Sequence, residues 1–340
     1  MQKRGRIVIS FLSVPSLILF VLSAMTYLTI DEKAQQCADV VRAVPSVDIS
    51  EPRRNASVEV RCEGQRRIFD CFSYFGELDL ALVRFQELEK YVTAFIVVES
   101  AMTFTGNRKT LLFEAAMKEG FFDRWLPKIR YIIVTEMLNC SLNAWGCEAY
   151  QRDRVLDGLH DLQNDDLVIV GDCDEIVSAK TASELQCNTA PSFVAAHLQL
   201  RIYYYSFHWR HYLKFWDLSA VFTGNALKSI FSNSPDQARY CRNQKPCMDW
   251  TYPTIADAGW HCSYFMTPEQ VRTKLLAFSH KEYSGPPYTS IEYISNKMHT
   301  GAGLFDDKVF EYEANPDPVP IAVRERPIQF AKFFAYAKLV

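Results

Sequence analysis

Long basic runs are missing from this chain. Beyond Lys3, Arg4 and Arg6 no block of lysine and arginine stands out, and the net charge is -3. That excludes the electrostatic footprint of a nucleic-acid binder. A paired C-x-x-C is also missing, which removes the usual zinc framework. There is no internal repeat and no low-complexity tract, so a solenoid or a disordered polymer is excluded. The longest absence is of charge: residues 7 to 30, IVISFLSVPSLILFVLSAMTYLTI, hold no charged side chain.

As a helix those residues rise roughly 36 Å, enough for a hydrocarbon core of about 30 Å. A cleaved signal peptide has a shorter apolar region, roughly 7 to 15 residues. Lys3, Arg4 and Arg6 precede the span, while Asp31 and Glu32 follow it. The positive-inside rule keeps the N-terminus cytosolic. The expectation is a cytoplasmic tail (1–6), an uncleaved signal anchor (7–30), a polar stem with Pro45 and Pro52 (31–65), and a lumenal domain (66–340). Ten cysteines suit an oxidising compartment. Cys140 with Cys147, and Cys241 with Cys247, are close enough for short-loop bridges. Asn55-Ala56-Ser57 and Asn139-Cys140-Ser141 are glycosylation acceptors. Aromatics make up 14% of the chain, which suits a large core and also suits sugar-stacking surfaces.

Within the lumenal part, strand and helix alternate. RIFDCFSYF (67–75), AFIVVES (94–100), KIRYIIVTE (128–136) and LVIVGD (167–172) are short apolar runs and predict strands. ELDLALVRFQELEKYV (77–92) has apolar residues at 78, 82, 85 and 88. That stripe predicts a helix, as do LLFEAAMKEG (111–120) and AWGCEAYQRDRVLDGLH (144–160). This alternation predicts an α/β fold with a mainly parallel sheet flanked by helices. Such sheets bind ligands beyond the carboxyl ends of their strands.

Three acids stand at one such end. Asp172, Asp174 and Glu175 follow the fourth predicted strand within four positions, and like charges so close repel unless a cation or proton holds them. Asp172-Cys173-Asp174 is the only Asp-x-Asp in the sequence. After an apolar strand in a membrane-anchored α/β chain, it resembles the motif of nucleotide-sugar glycosyltransferases of GT-A, Rossmann-type fold. A divalent cation held there neutralises a departing nucleoside diphosphate. A glycoside hydrolase would also use two carboxylates, without that motif. A lectin would keep the aromatics and have no use for the aspartates.

Ordered blocks narrow the choice. IFDCFSYFGELDLALVRFQEL, FIVVESAMTFTGNRKTLLF, EAYQRDRVLDGL, DLVIVGDCDEI and DAGWHCSYF, with VPIAVRERPIQFAKFF near the end, resemble the successive blocks of glycosyltransferase family 17. Gly76, Asp153 and Val177 stand where the family's pattern has Asn, Asn and Pro. The resemblance implies a Golgi enzyme, single-pass type II, that transfers GlcNAc from UDP-GlcNAc with inversion, using Mn²⁺ or Mg²⁺. The implied acceptor is a mannose of an N-linked glycan, in a bisecting β-1,4 linkage. A different UDP-sugar or acceptor, or an inactive carbohydrate-binding relative, is the alternative. The implied metal ligands are Asp174, Asp172 and His261, with Asp172 also a candidate for the ribose. Asp257 leads as general base, with Glu175, Asp217 and Asp249 as alternatives; Glu175 is equally a candidate for orienting an aspartate. Phe72, Glu77, Glu99, Arg152 and the Thr103–Gly106 loop are expected on the nucleotide side. Trp260 is a sugar wall or core, and His280, Glu282 and Tyr283 are expected over the acceptor.

Overall fold

The computed structural model describes residues 65–137, 139–241, 252–306 and 308–336. The expected tail and anchor, and all but the last residue of the expected stem, lie outside them. Among the described residues no helix is long and apolar enough to cross a membrane.

Strands β1 (Ile68–Ser73), β2 (Ala94–Ser100), β3 (Ile129–Val134) and β4 (Leu167–Asp172) form where the apolar runs predict them. Helices α1 (Leu78–Leu88), α2 (Leu112–Lys118) and α3 (Ala144–Asp153) connect them. Every residue of β2 is buried, as are all but the last of β1 and β4. Strands covered on both faces need such runs. β1 pairs in parallel with β2 on one side and with β4 on the other, and β2 pairs in parallel with β3. The order β3-β2-β1-β4 reverses direction between β1 and β4. A doubly wound sheet opens its ligand crevice at such a reversal.

The second half of the chain corrects the expectation of a mainly parallel sheet. It supplies β5 (Glu175–Val177), α4 (Ala179–Cys187), β6 (Ala195–Tyr204), β7 (Trp209–Trp216) and β8 (Ala220–Thr223). Short helices α5 (Gly224–Ser229) and α6 (Pro235–Tyr240) follow, then β9 (Thr254–Ser263), α7 (Pro268–Ala277), α8 (Ile291–Thr300), β10 (Glu311–Tyr312) and α9 (Ile321–Glu325). β8 pairs antiparallel with β4 and with β6, and β7 pairs antiparallel with β6 and β10. The sheet is therefore mixed. The reason is the connections: four residues separate β6 from β7, and a parallel crossover needs a dozen or more.

One core runs under α1 and the sheet and includes Phe72, Phe85, Cys173, Ile176 and Trp260. A second, with Tyr205, Trp209, Leu275 and Met298, lies under α7 and α8.

Candidate active site

The floor of the site is the reversal point. β1 and β4 end in register, Ser73 opposite Asp172. The chain then turns through Asp172–Glu175, with Cys173 buried in the core between aspartates that line a cavity. Gly171 makes this possible: a Cβ there would lie 2.8 Å from Glu175 Oε2, so any other residue would push Glu175 away. From below, Arg84 of α1 donates to the carbonyls of Asp172 (2.7 Å) and Glu175 (2.9 Å), while its other nitrogens grip Asp70 of β1. The turn's backbone is thus fixed by an ion pair in the core.

Glu175 does not face a reactant. Its carboxylate accepts five hydrogen bonds: two from Arg239 at 2.5 Å, and one each from Trp216 Nε1, Ser219 Oγ and the Asp172 amide. A carboxylate offers about four lone-pair positions, so none is left for an acceptor proton. Burial alone would raise its pKa; the Arg239 guanidinium overrules this and holds it below the usual carboxylate range. Arg239 also donates to Asp172 Oδ2 at 2.8 Å, and Arg152 of α3 reaches Asp172 Oδ1 at 3.2 Å. Burial opposes the Asp172 charge too, and the same two arginines hold it well below its ordinary range. Asp153, at the end of α3, accepts from Ser234 Oγ (3.0 Å) and the Asp236 amide (2.9 Å), which fixes the start of α6 and so the position of Arg239. The repulsion posed by the acidic cluster is answered in part by the chain's own cations.

Asp174 lies 94% buried on the opposite side of the turn. Its Oδ2 accepts from Lys274 Nζ of α7 at 3.1 Å, and its Oδ1 faces His261 Nε2 at 3.8 Å. The Gly-Trp-His block reaches this point through β-pairing: β5 runs antiparallel to β9, placing Glu175 opposite His261 and Val177 opposite Gly259. Gly259 is required there, because a Cβ would sit 2.1 Å from the Ile176 carbonyl oxygen. His261 packs against Trp216, the rings tilted by 38° with centroids 4.3 Å apart, and its Nε2 lies 3.0 Å from Ser263 Oγ. Burial lowers its pKa against the pull of Asp174, which favours the neutral ring. Its buried Nδ1 has no hydrogen-bond partner among the described residues. Asp174, Glu175 and His261 each offer a ligand atom within 4.8 Å of the others. With Glu175 already saturated, Asp174 and His261 are the groups left to fit a divalent ion.

These groups open on a cavity of about 500 Å³. Its lining mixes the charged side chains of Glu77, Glu148, Arg152 and Arg239 with an aromatic wall of Tyr204, Tyr264, Phe278, Tyr283 and Phe305; Tyr283 and Phe305 stack at 4.1 Å. Trp145 and His280 meet edge to face at 4.5 Å and also line the cavity. The Cys140–Cys147 disulfide forms and ties the loop before α3 to its first turn, beside Trp145.

Of the residues singled out from sequence, the cavity collects Glu77, Arg152, Asp172, Asp174, His261, His280, Tyr283, Thr103 and Phe104. Others it leaves aside. Phe72 is buried core, 4.4 Å beneath the Arg84 guanidinium. Glu99 accepts from the Leu112 and Phe113 amides, Lys109 and Tyr131, so it caps α2. Trp260 is core, with Nε1 donating to the Pro318 carbonyl at 2.8 Å. Glu282 pairs with His280 on the surface. Asp257 is half exposed, pairs with Arg201 at 2.5 Å and does not line the cavity. A bulge turns it out: two steps along β6 match four along β9, and Asp257 sits at φ 54°. Asp217 is outside the lining as well, and Asp249 is outside the described residues. The sequence reading missed Arg84, Arg239, Trp216 and Lys274; no local pattern marks any of them.

Comparison with known proteins agrees with the ordered blocks. The profile of Glycosyltransferase family 17 matches residues 49–313. Proteins named beta-1,4-mannosyl-glycoprotein 4-beta-N-acetylglucosaminyltransferase from Homo sapiens and Rattus norvegicus are each 27% identical over 278 residues, 74% of this chain and 51% and 50% of their own lengths. The chain thus spans about half the length of the curated relatives it matches. Among solved structures, the mannosyltransferase PcManGT from Pyrobaculum calidifontis, in complex with GDP-Man and Mn²⁺, is 12% identical with a TM-score of 0.40, over 83% of this chain and 81% of that one; a likeness of that size carries nothing about the site. The profile match spans most of the chain, and on it the chain belongs to glycosyltransferase family 17.

Proposed function

We propose that this chain is an inverting, metal-dependent transferase of GT-A-like architecture that moves GlcNAc from UDP-GlcNAc to a mannose of an N-linked glycan, in the bisecting β-1,4 manner. It acts as a type II protein of the Golgi membrane, anchored through residues 7–30. The transferred N-acetylglucosamine and the mannosyl-glycoprotein acceptor follow the names of the relatives. The observation that carries the reading is the pairing of Glu175 with His261, which brings the Asp-x-Asp turn and the Gly-Trp-His block to one cavity at the reversal of the sheet.

Asp174 and His261 would hold the divalent ion, with Asp172 beside them. Bound there, it would supply positive charge to offset that of a diphosphate leaving group. Arg239 and Arg152 keep Asp172 ionised and fixed. The acceptor hydroxyl attacks the anomeric carbon while the bond to the diphosphate breaks. Its proton goes to a cavity carboxylate, Glu77 or Glu148, rather than to exposed Asp257 or saturated Glu175. The aromatic wall receives sugar rings by stacking.

The test is UDP release from a panel of UDP-sugars with Mn²⁺, with and without an N-glycan acceptor. Acceptor-stimulated release from UDP-GlcNAc, lost on chelation and in Asp174→Ala, supports the reading. Release from another UDP-sugar keeps the mechanism and discards the donor. No binding of any nucleotide sugar would refute the reading and leave a carbohydrate-binding relative.

A further inference from the structure

Three cations line the main cavity, and they are not alike. Arg152 and Arg239 have side chains 3% and 1% exposed, each engaged by at least two carboxylates. Lys274, in the last turn of α7, is 22% exposed. Its Nζ donates to Asp174 Oδ2 at 3.1 Å and to Glu77 Oε1 at 3.1 Å. An ammonium has three N–H groups, so a third donor remains for the cavity that Lys274 lines. The side chains of Asp174 and Glu77 are 8% and 5% exposed, and two carboxylates that buried need a cation between them.

Asp174 is also one of the two groups that fit a divalent ion. An ion arriving at Asp174 meets Lys274 already on that carboxylate. Two cations on one carboxylate repel, and the flexible stem of Lys274 leaves its head room to swing toward the open side. That side is where a nucleoside diphosphate must lie if its phosphates are to reach the ion.

We propose that Lys274 is the site's resident counter-cation: it holds Asp174 and Glu77 together while the divalent ion is away, and donates to a phosphate of the nucleotide donor once the ion takes Asp174. The proposal rests on the metal-dependent reading above. No covalent bond changes; one charge-assisted hydrogen bond is exchanged for another. Ion and nucleotide therefore bind with opposite dependence on this residue, which a merely structural lysine would not produce.

The experiment titrates Mn²⁺ into purified full-length protein, following free Mn²⁺ by electron paramagnetic resonance, and then titrates UDP at saturating Mn²⁺. Lys274→Gln is expected to bind Mn²⁺ several-fold more tightly than wild type and UDP about ten- to a hundredfold more weakly, the size of a charge-assisted hydrogen bond. Lys274→Arg, which keeps the charge, is expected to follow wild type. Loss of the cation also weakens the fold, so Mn²⁺ should raise the melting temperature of Lys274→Gln by more than that of wild type. Equal Mn²⁺ and UDP affinities in Lys274→Gln and wild type overturn the proposal and leave the metal reading standing. So does weaker Mn²⁺ binding by Lys274→Gln. Wild-type protein that takes up no Mn²⁺ overturns the metal reading, and the proposal with it.

Discussion

Arg84 grips Asp70 through two hydrogen bonds of 2.6 and 2.7 Å, and neither side chain is exposed to water. The pair lies beneath the acidic turn and holds two of its carbonyls. Removing one partner strands the other charge in the core. Arg84→Met is expected to cost about 3–5 kcal/mol of stability, and Arg84→Met with Asp70→Leu to recover most of it. Urea unfolding of the two variants checks this; a cost below 1 kcal/mol for the single change would show the pair to be dispensable.

Glu175 sets a pH dependence. Its folded pKa lies below its unfolded value, because Arg239 outweighs burial. Such a group contributes stability that is complete above the ordinary glutamate pKa of about 4.3 and is lost as pH falls through the lower folded value. Metal-free protein should therefore lose stability steeply below about pH 4. Glu175→Gln should be less stable at pH 7 and show a flatter acid limb. Unfolding measured from pH 7 to 3 tests this, and unchanged steepness in the variant would count against it.

Arg239 spans Asp172 and Glu175 with a planar fork that lysine cannot reproduce. Arg239→Lys is expected to lower kcat/KM by about tenfold or more, since one charge-assisted hydrogen bond is worth roughly 1.5–3 kcal/mol. Steady-state transfer decides; wild-type kinetics would mean that the fork is not needed.

Asp257 and Asp174 make a contrasting pair. Asp257→Asn, on the surface bulge, should stay within about twofold of wild type, as surface substitutions do. Asp174→Asn should abolish transfer and Mn²⁺ uptake together. Loss of transfer in Asp257→Asn with intact folding would return that residue to the role of base.

The Cys140–Cys147 bridge closes a loop of 7 residues' separation. On the chain-entropy account it stabilises by about 2.5 kcal/mol. Cys140→Ser with Cys147→Ser should lower the melting temperature. The acceptor KM should rise, with little change for UDP-GlcNAc, because Trp145 stands beside the bridge. A rise for the nucleotide sugar alone would place Trp145 on the donor side.

The parallel half of the fold is legible in the sequence because its signals are local. AFIVVES and LVIVGD form strands over the predicted residues, and the acids fall at a carboxyl end. The mixed second half is not legible, since β6 and β9 carry no run as plain as these and pair with each other from far apart in sequence. The site divides the same way. Asp172, Asp174 and His261 stand in recognisable blocks. Arg84, Arg239 and Lys274 are ordinary basic residues on helices, and only tertiary contact makes them part of the site. Glu175 looks like a free acid until its five donors are found, and Asp257 looks close to the Gly-Trp-His block until the bulge turns it outward.

The ladder between β5 and β9 also sets an order of assembly. As the polypeptide is synthesised, the four parallel strands and the Asp-x-Asp turn emerge first and can pair among themselves. His261 and then Lys274 follow about a hundred residues after Asp174. Closing that distance is the slow, entropically costly part of such a topology. A nascent chain halted after α6 carries both aspartates of the motif, with neither the imidazole nor the ammonium that the finished cavity sets beside them.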